Sequence, residues 1–333
     1  MIGHRGQAIQ DLMAKIATGL GPVFQTSRPV IVSASSATGL MEAAIRNGVG
    51  KGKVLSLVNG AFSGRFAEIA RTNGKDLEVW EVGPGTVHSP EELDARLAAH
   101  VYEAVVLTHS ETSTGALQDL ESQAKVVAGY PNTLLMVDSV TGIGGVEIYS
   151  DAWGIDFILT GSQKALALPP GLAFGVASEA MMERAHTIPD RGWYFDLVRL
   201  ARNLEANQTP ATPAVSLLYA LEVQLSRILA EGMESRWKRH LAMQERTIEW
   251  AAQMTDRGSR VGLVAAEGQR SPTVSCLEVA DPGRVVAGMR DRGWVIGAGY
   301  GVLKDSTVRI GHMGDHTVEE LDALLDVLTD VIG

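Results

Sequence analysis

The chain has little cysteine, few aromatics and no excess of basic charge. Among its 333 residues there is one cysteine. That count excludes a disulfide framework and any cluster of thiolate ligands, and it suits a reducing compartment. Aromatic residues make up 5% while glycine numbers 36, a balance that fits a protein of many tight turns. Lys and Arg total 29 against 39 Asp and Glu, a net charge of −10. A nucleic-acid backbone or an anionic membrane surface is therefore not the expected partner. No apolar run approaches the roughly 20 residues that span a bilayer. The opening MIGHRGQAIQ also lacks the charged-then-apolar layout of a secretory leader. Internal repeats, charge blocks and low-complexity linkers are missing too. These exclusions leave a cytoplasmic α/β protein, long enough for two or three domains at roughly 100–200 residues each.

Short apolar runs alternate with amphipathic stretches from residue 30 to about 178: Val30–Ser33, Val54–Val58, Leu77–Val82, Ala104–Leu107, Leu134–Val137, Phe157–Thr160 and Leu172–Ala177. Rich in Val, Leu and Ile, they read as strands buried on both faces, which implies a mainly parallel seven-stranded sheet covered by helices. Helices are expected over Gly39–Asn47 and over Pro90–His100, the latter with Ser89 as N-cap. One long helical pattern runs from Pro213 to about Met254, with a break or kink expected at Gly232. Strands near Thr273–Val279, Trp294–Ile296 and Thr307–Ile310 follow, then a helix from Thr317 to Val331 with Thr317 and Glu320 as a capping box. The expected division is an N-terminal segment over 1–20, a large domain over 21–230 and a small α+β domain over 231–333.

Ligands in parallel sheets sit beyond the C-terminal ends of strands. Gly161-Ser162-Gln163-Lys164 follows one such run. A lysine there is either an ordinary surface residue or a partly buried amine of lowered pKa, as Schiff-base chemistry requires. Asp138 ends another run, as a helix cap or as a carboxylate facing the crevice. Asp138 and Lys164 lie 26 positions apart, about one strand–connection–strand unit, so both can face one site. An acid and a Schiff-base lysine are the two protein groups that pyridoxal phosphate demands. Ser33-Ala34-Ser35-Ser36-Ala37-Thr38-Gly39 is either a plain N-cap turn or a phosphate cradle at a helix N-terminus. No Gly-Lys-Ser/Thr follows it, and in Gly142-Ile143-Gly144-Gly145-Val146-Glu147 a glutamate replaces the last glycine, so neither a P-loop nor a dinucleotide fingerprint is present.

With those residues stand three further strings: Leu107-Thr108-His109-Ser110-Glu111-Thr112-Ser113-Thr114-Gly115-Ala116-Leu117, Val137-Asp138-Ser139-Val140 and Arg309-Ile310-Gly311-His312-Met313-Gly314. Together with Gly161-Ser162-Gln163-Lys164, in this order, the chain resembles the class V aminotransferases, fold-type I enzymes that use pyridoxal phosphate. Within them it is similar to the alanine–glyoxylate, serine–pyruvate and archaeal-type aspartate group. The resemblance implies Lys164 as the lysine bound to the cofactor aldehyde and Asp138 as the partner of the pyridine nitrogen, the two catalytic groups. It implies a phosphate-binding turn at Ser36, Ala37 and Thr38, ring stacking by Phe62, where some relatives carry Trp, and a hydroxyl from Thr112 near the ring oxygen. Val140 and Gln163 join the cofactor contacts. Arg309 would hold the substrate carboxylate, a role that suits a planar fork.

Thr209 or Thr212 would reach the cofactor of a neighbouring subunit, which makes the expected working unit a homodimer with shared sites. The implied reaction moves the amino group of alanine or serine to a 2-oxo acid such as glyoxylate or pyruvate. Aspartate is the alternative donor, and a cysteine-desulfurase-like lyase a more distant alternative. The lyase chemistry wants a mobile cysteine and a histidine before the lysine, whereas Cys276 lies in a strand pattern and Gln163 precedes Lys164. Relatives ordinarily carry a Pro/Gly-rich arm of about twenty residues ahead of the segment that opens here, so residues 1–20 are expected to follow a missing arm. His312 and His316 are four apart, but Gly314 between them spoils a helical ligand pair, and no metal site is expected. Arg65, Arg184 and Arg191 could touch substrate, but surface arginines are common and none is assigned a role.

Overall fold

The computed structural model describes residues 3–333. Met1 and Ile2, where the expected N-terminal segment opens, lie outside the described residues. In chain order the first half comprises α1 (Gln7–Phe24), β1 (Val30–Ser33), α2 (Ala37–Gly48), β2 (Lys53–Val58), α3 (Ala61–Thr72), β3 (Asp76–Glu81), α4 (Pro90–Ala99), β4 (Ala104–Thr108), β5 (Ser110–Glu111), β6 (Ala116–Leu117), α5 (Leu120–Ala128) and β7 (Leu134–Asp138). The second half comprises β8 (Phe157–Gly161), β9 (Ala173–Ala177), α6 (Glu179–Thr187), α7 (Leu197–Glu205), α8 (Val215–Glu231), α9 (Met233–Asp256), β10 (Val261–Leu263), β11 (Val274–Val279), α10 (Pro282–Asp291), β12 (Gly297–Ala298), β13 (Thr307–Gly311) and α11 (Val318–Ile332). None of the described helices is long and apolar enough to cross a membrane.

The seven expected strands pair into one sheet of order β1-β9-β8-β7-β4-β2-β3, each within one residue of its expected bounds. Only β9 runs against the rest, antiparallel to both β1 and β8. Strand periodicity sorts the side chains between two cores. Val105, Leu107, Leu135, Val137 and Ile158 face α1, α4, α5 and α8 on one side. Ala104, Val106, Leu134, Met136 and Leu159 face α2, α3, α6 and α7 on the other. A second sheet, of order β10-β11-β13-β12, is antiparallel and packs its own core against α9, α10 and α11. The fold is α/β, as expected.

The long helical pattern divides at Gly232, whose φ of 80° lies in the left-handed region that favours glycine. The box at Thr317 forms in both directions with Glu320, and Ser89 caps α4. One expected strand is corrected. Trp294–Ile296 is not a strand; pairing falls on Gly297–Ala298, against Val308 and Arg309. Trp294 instead finishes α10, its N–H donating to Met289 O over 2.9 Å, so a helix exit holds the segment before pairing starts. The helix expected from Gly39 begins at Ala37. Near the N-terminus, Ile9, Leu12, Met13, Ile16 and Leu20 recur at helical spacing and bury α1 in the large core, with no interruption at residue 20.

Candidate active site

Four parallel strands deliver their last residues to one edge of the large sheet. β7 ends on Asp138, β8 on Gly161 just before Lys164, β4 on Thr108, and β1 on Ser33 ahead of α2. Thr108 and Asp138 are register partners, as are Asp138 and Leu159. The crevice rule for parallel sheets therefore brings together residues from four separate stretches of sequence.

Asp138 is buried. Oδ1 accepts the Val140 N–H at 2.9 Å and Oδ2 the Thr108 hydroxyl at 3.2 Å. Burial pushes its pKa up to about 7, with the nearby Glu111 adding to the rise, while Val140, Thr108 and Lys164 oppose it. Lys164 is half-buried, and its amine is held below the ordinary lysine range, first by burial and then by the Arg309 charge, with Asp138 opposing. Acid and amine thus feel one another, and the surroundings favour the neutral form of each.

A tight loop presents the lysine. Ala167 N–H donates to Lys164 O at 2.9 Å with Ala167 at φ 54°, and Leu168 N–H returns to Ser162 O at 3.0 Å. Ser162 Oγ donates to Pro169 O at 2.7 Å. From outside the loop, the buried guanidinium of Arg236 donates to Ala165 O at 2.7 Å and Gly144 O at 3.0 Å while pairing with Glu231 and Asp315.

The start of α2 is open. Ser36 occupies the N-cap without a side-chain bond, whereas six other helices are capped by Ser89, Asp119, Ser178, Asp196, Asp281 and Thr317. Ser33 Oγ and Ser35 Oγ bond one another at 2.9 Å. The N–H groups of Ala37 and Thr38 accordingly meet no acceptor among the described residues, and they stand at the positive end of a helix dipole. A Cβ on Gly161 would lie 2.8 Å from Gln163 Oε1 and 3.4 Å from Ala37 Cβ, so strand end, glutamine and helix start share one small space.

Phe62 sits half-buried in the first turn of α3. The Thr112 hydroxyl bonds Thr141, and the Thr112 carbonyl accepts Arg309 Nη1 at 3.3 Å. Arg309 also donates from Nε to Ala298 O at 3.0 Å, which leaves part of its fork uncommitted. Thr209 and Thr212 lie between α7 and α8, along a small cavity lined also by Ser33, Ala34 and Tyr194. Thr209 Oγ1 turns back to donate to Ala211 O at 2.7 Å, while Thr212 is exposed.

Three residues without a predicted role enter this cluster. Glu111, fully buried, accepts from Phe62 N–H (3.1 Å), Ser63 N–H (2.9 Å), Ser63 Oγ (3.0 Å), Ser113 N–H (3.0 Å) and Ser113 Oγ (2.6 Å). It holds the start of α3, and hence Phe62, against the loop after β4. Its one signal in the sequence is an acid set among small polar residues. Arg65 and Tyr300 lie beside Phe62 with no sequence signal that separates them from surface residues.

These groups match a donor set. An open helix start takes a phosphate, a buried carboxylate faces a protonated ring nitrogen, an amine takes an aldehyde, and an aromatic face covers a ring; pyridoxal phosphate carries all four features.

A model of the family described as aminotransferase class-V matches residues 1–324. The chain belongs to the class V aminotransferase family. Among curated relatives, it is 32% identical over 328 residues to the L-aspartate–glyoxylate aminotransferase of Paracoccus denitrificans, covering 95% of this chain and 81% of that one. It is 33% identical over 320 residues to a Synechococcus protein called the small subunit of a soluble hydrogenase, covering 94% and 82%. Among solved structures, an alanine–glyoxylate aminotransferase from Nostoc superposes with a TM-score of 0.90 at 32% identity, covering 100% of this chain and 89% of that one. The mainly parallel sheet is that of this family's fold.

Proposed function

We propose that this class V aminotransferase moves the amino group of a small L-amino acid to a 2-oxo acid such as glyoxylate or pyruvate, in the cytoplasm and with pyridoxal phosphate. The observation that carries the reading is that Asp138, at the end of β7, and Lys164, in the loop after the neighbouring β8, stand at one sheet edge, each shifted by burial and each sensed by the other. The cofactor, when bound, supplies an aldehyde that takes up the amino group and a ring that accepts the electrons released at Cα.

The chain's own residues supply the rest. Ala37, Thr38 and Ser36 would hold the phosphate, and Gln163 adds a polar group beside them. Phe62 would cover one ring face, and the Thr112 hydroxyl would lie near the ring oxygen. The Asp138 carboxylate, oriented by Val140 and Thr108, would keep the ring nitrogen protonated; a cation set against it reverses the cost that its burial imposes. The lowered Lys164 amine is suited to lift and return the proton at the substrate Cα, since a base works best with a pKa near the operating pH. Arg309, steadied by Ala298 O and Thr112 O, would grip the α-carboxylate. Alanine, serine and aspartate all satisfy this reading, which asks only for an α-carboxylate, a Cα–H and an amino group.

Replacement of Lys164 by Ala is expected to abolish the borohydride-reducible yellow chromophore and to lower turnover on the order of 100- to 10,000-fold. Retention of both would remove the assignment. The lyase alternative gains no residue, because Cys276 is buried in β11 and Gln163 precedes Lys164. One thiol also supplies no ligand set of the kind iron–sulfur clusters need, so the hydrogenase name remains that relative's own.

The working unit in this proposal is a homodimer, with Thr212 rather than Thr209 extending to the neighbour's cofactor phosphate. Its support is that the Thr209 hydroxyl is already committed within its own segment and Thr212 is exposed. Light scattering at micromolar protein is expected to give twice the chain mass; a monomer with full activity would overturn it.

A further inference from the structure

The loop after β12 crosses to the start of α3 and sets two cations around one tyrosine. A Cβ on Gly301 would stand 3.7 Å from Ala61 Cβ, and the Tyr300 ring stacks on Phe62 with centroids 5.4 Å apart and planes at 22°. Arg65, one helical turn after Phe62, donates from Nη2 to the Tyr300 hydroxyl at 3.1 Å, and its guanidinium carbon lies 4.9 Å from the Phe62 ring centre. The guanidinium carbon of Arg309 lies 5.5 Å from the Tyr300 ring centre. One arginine thus meets the hydroxyl end of the tyrosine, and the other lies near its ring.

Neither guanidinium pairs with a carboxylate among the described residues, so each keeps donors free beside Tyr300. Arg65 commits one donor to a neutral hydroxyl and leaves the rest of its fork open. A carboxylate is the partner such a fork grips in bidentate fashion.

We propose that Arg65, positioned by Tyr300, binds a second carboxylate on the substrate, so that the enzyme prefers a short amino dicarboxylate of the aspartate class to alanine or serine. The tyrosine links the two arginines. Arg309 would take the α-carboxylate, and Arg65, at the hydroxyl end of Tyr300, would take the second carboxylate. The assignment rests on the aminotransferase reading and narrows its donor. A supporting role for Arg65, propping Phe62 through its cation–π contact alone, would affect donors with and without a second carboxylate alike.

The test uses the pyridoxal-phosphate-loaded protein and its Arg65→Met, Arg65→Lys and Tyr300→Phe variants. Steady-state rates with aspartate and alanine are compared with glyoxylate as common acceptor, and binding of succinate and propionate is measured by calorimetry. The wild type is expected to favour aspartate and succinate. In Arg65→Met the aspartate-to-alanine ratio of kcat/KM, and the succinate-to-propionate ratio of affinities, should both fall on the order of 10- to 100-fold, as expected for a lost charge-assisted hydrogen bond. Arg65→Lys should recover part of each ratio, and Tyr300→Phe should lose less than Arg65→Met. Unchanged ratios in Arg65→Met, or a wild type that favours alanine, would overturn the proposal. If no amino acid reacts with the wild type, the aminotransferase reading fails instead, and the succinate ratio still decides whether Arg65 holds a carboxylate.

Discussion

Glu111 is the residue whose energetics are most exposed to test. A buried carboxylate without a bonded cation is costly unless hydrogen bonds replace its hydration. Here five donors do so, two of them first-turn N–H groups of α3, where the helix dipole also favours an anion. The same closeness explains Gly60, since a Cβ there would stand 2.4 Å from Glu111 Cγ. Glu111→Gln replaces an accepting oxygen by an N–H group that faces other N–H and O–H donors. It is expected to cost about 2–3 kcal/mol in unfolding free energy, and to weaken cofactor binding by loosening Phe62. Denaturant titration of the apo protein reads the first effect, and a loss below about 0.5 kcal/mol would show that the five contacts carry little weight.

Among the elements, the lysine loop depends on a part of the chain far from it. Arg236, on α9 and 1% exposed, ties Ala165 and Gly144 to the end of α8 through Glu231 and to the segment after β13 through Asp315. Removing one partner of a buried ionic network strands the others. Arg236→Met should therefore cost about 3 kcal/mol, which a shift of the urea midpoint would report. The open start of α2 makes the opposite point. A serine at an N-cap ordinarily closes the helix, and Ser36 leaves it open, where six other capping residues bond their own helices. An uncapped serine at this position fits the proposed phosphate-binding role of the turn.

At the scale of the whole molecule, pH response follows from its buried titrating groups. Burial holds His109 and His312 near 4 and His240 near 3, below the ordinary value of 6.5. Their contribution to stability is full above about 6.5 and is lost as pH falls through 4, and for His240 through 3. Asp138, raised to about 7, acts in the other direction: its share is full below its ordinary 3.8 and is lost as pH rises through 7. The apo protein should therefore lose stability on acidification, with Asp138 offsetting part of that loss. Asp138→Asn should steepen the decline between pH 7 and pH 4. Denaturant midpoints at several pH values check this, and a flatter profile in the variant would contradict it. Much of the molecule was legible in advance. Seven apolar runs, the break at Gly232 and the box at Thr317 are local patterns, and periodicity or capping chemistry reports them directly. Double burial fails only for β3, which closes the sheet edge with Trp80 alone buried. Asp138 was readable as a residue that ends a strand and Lys164 as one in the loop just after another, because parallel strands deliver their ends to one edge. The second arginine was not legible. Arg65 and Tyr300 are 235 positions apart, and each reads alone as a surface side chain. The chain alone determined the strands, the caps and the edge where chemistry collects, since backbone periodicity and hydrogen-bond satisfaction act over a few residues. Which charges meet there, and which are left without partners, was decided only when the second sheet folded its loop against α3.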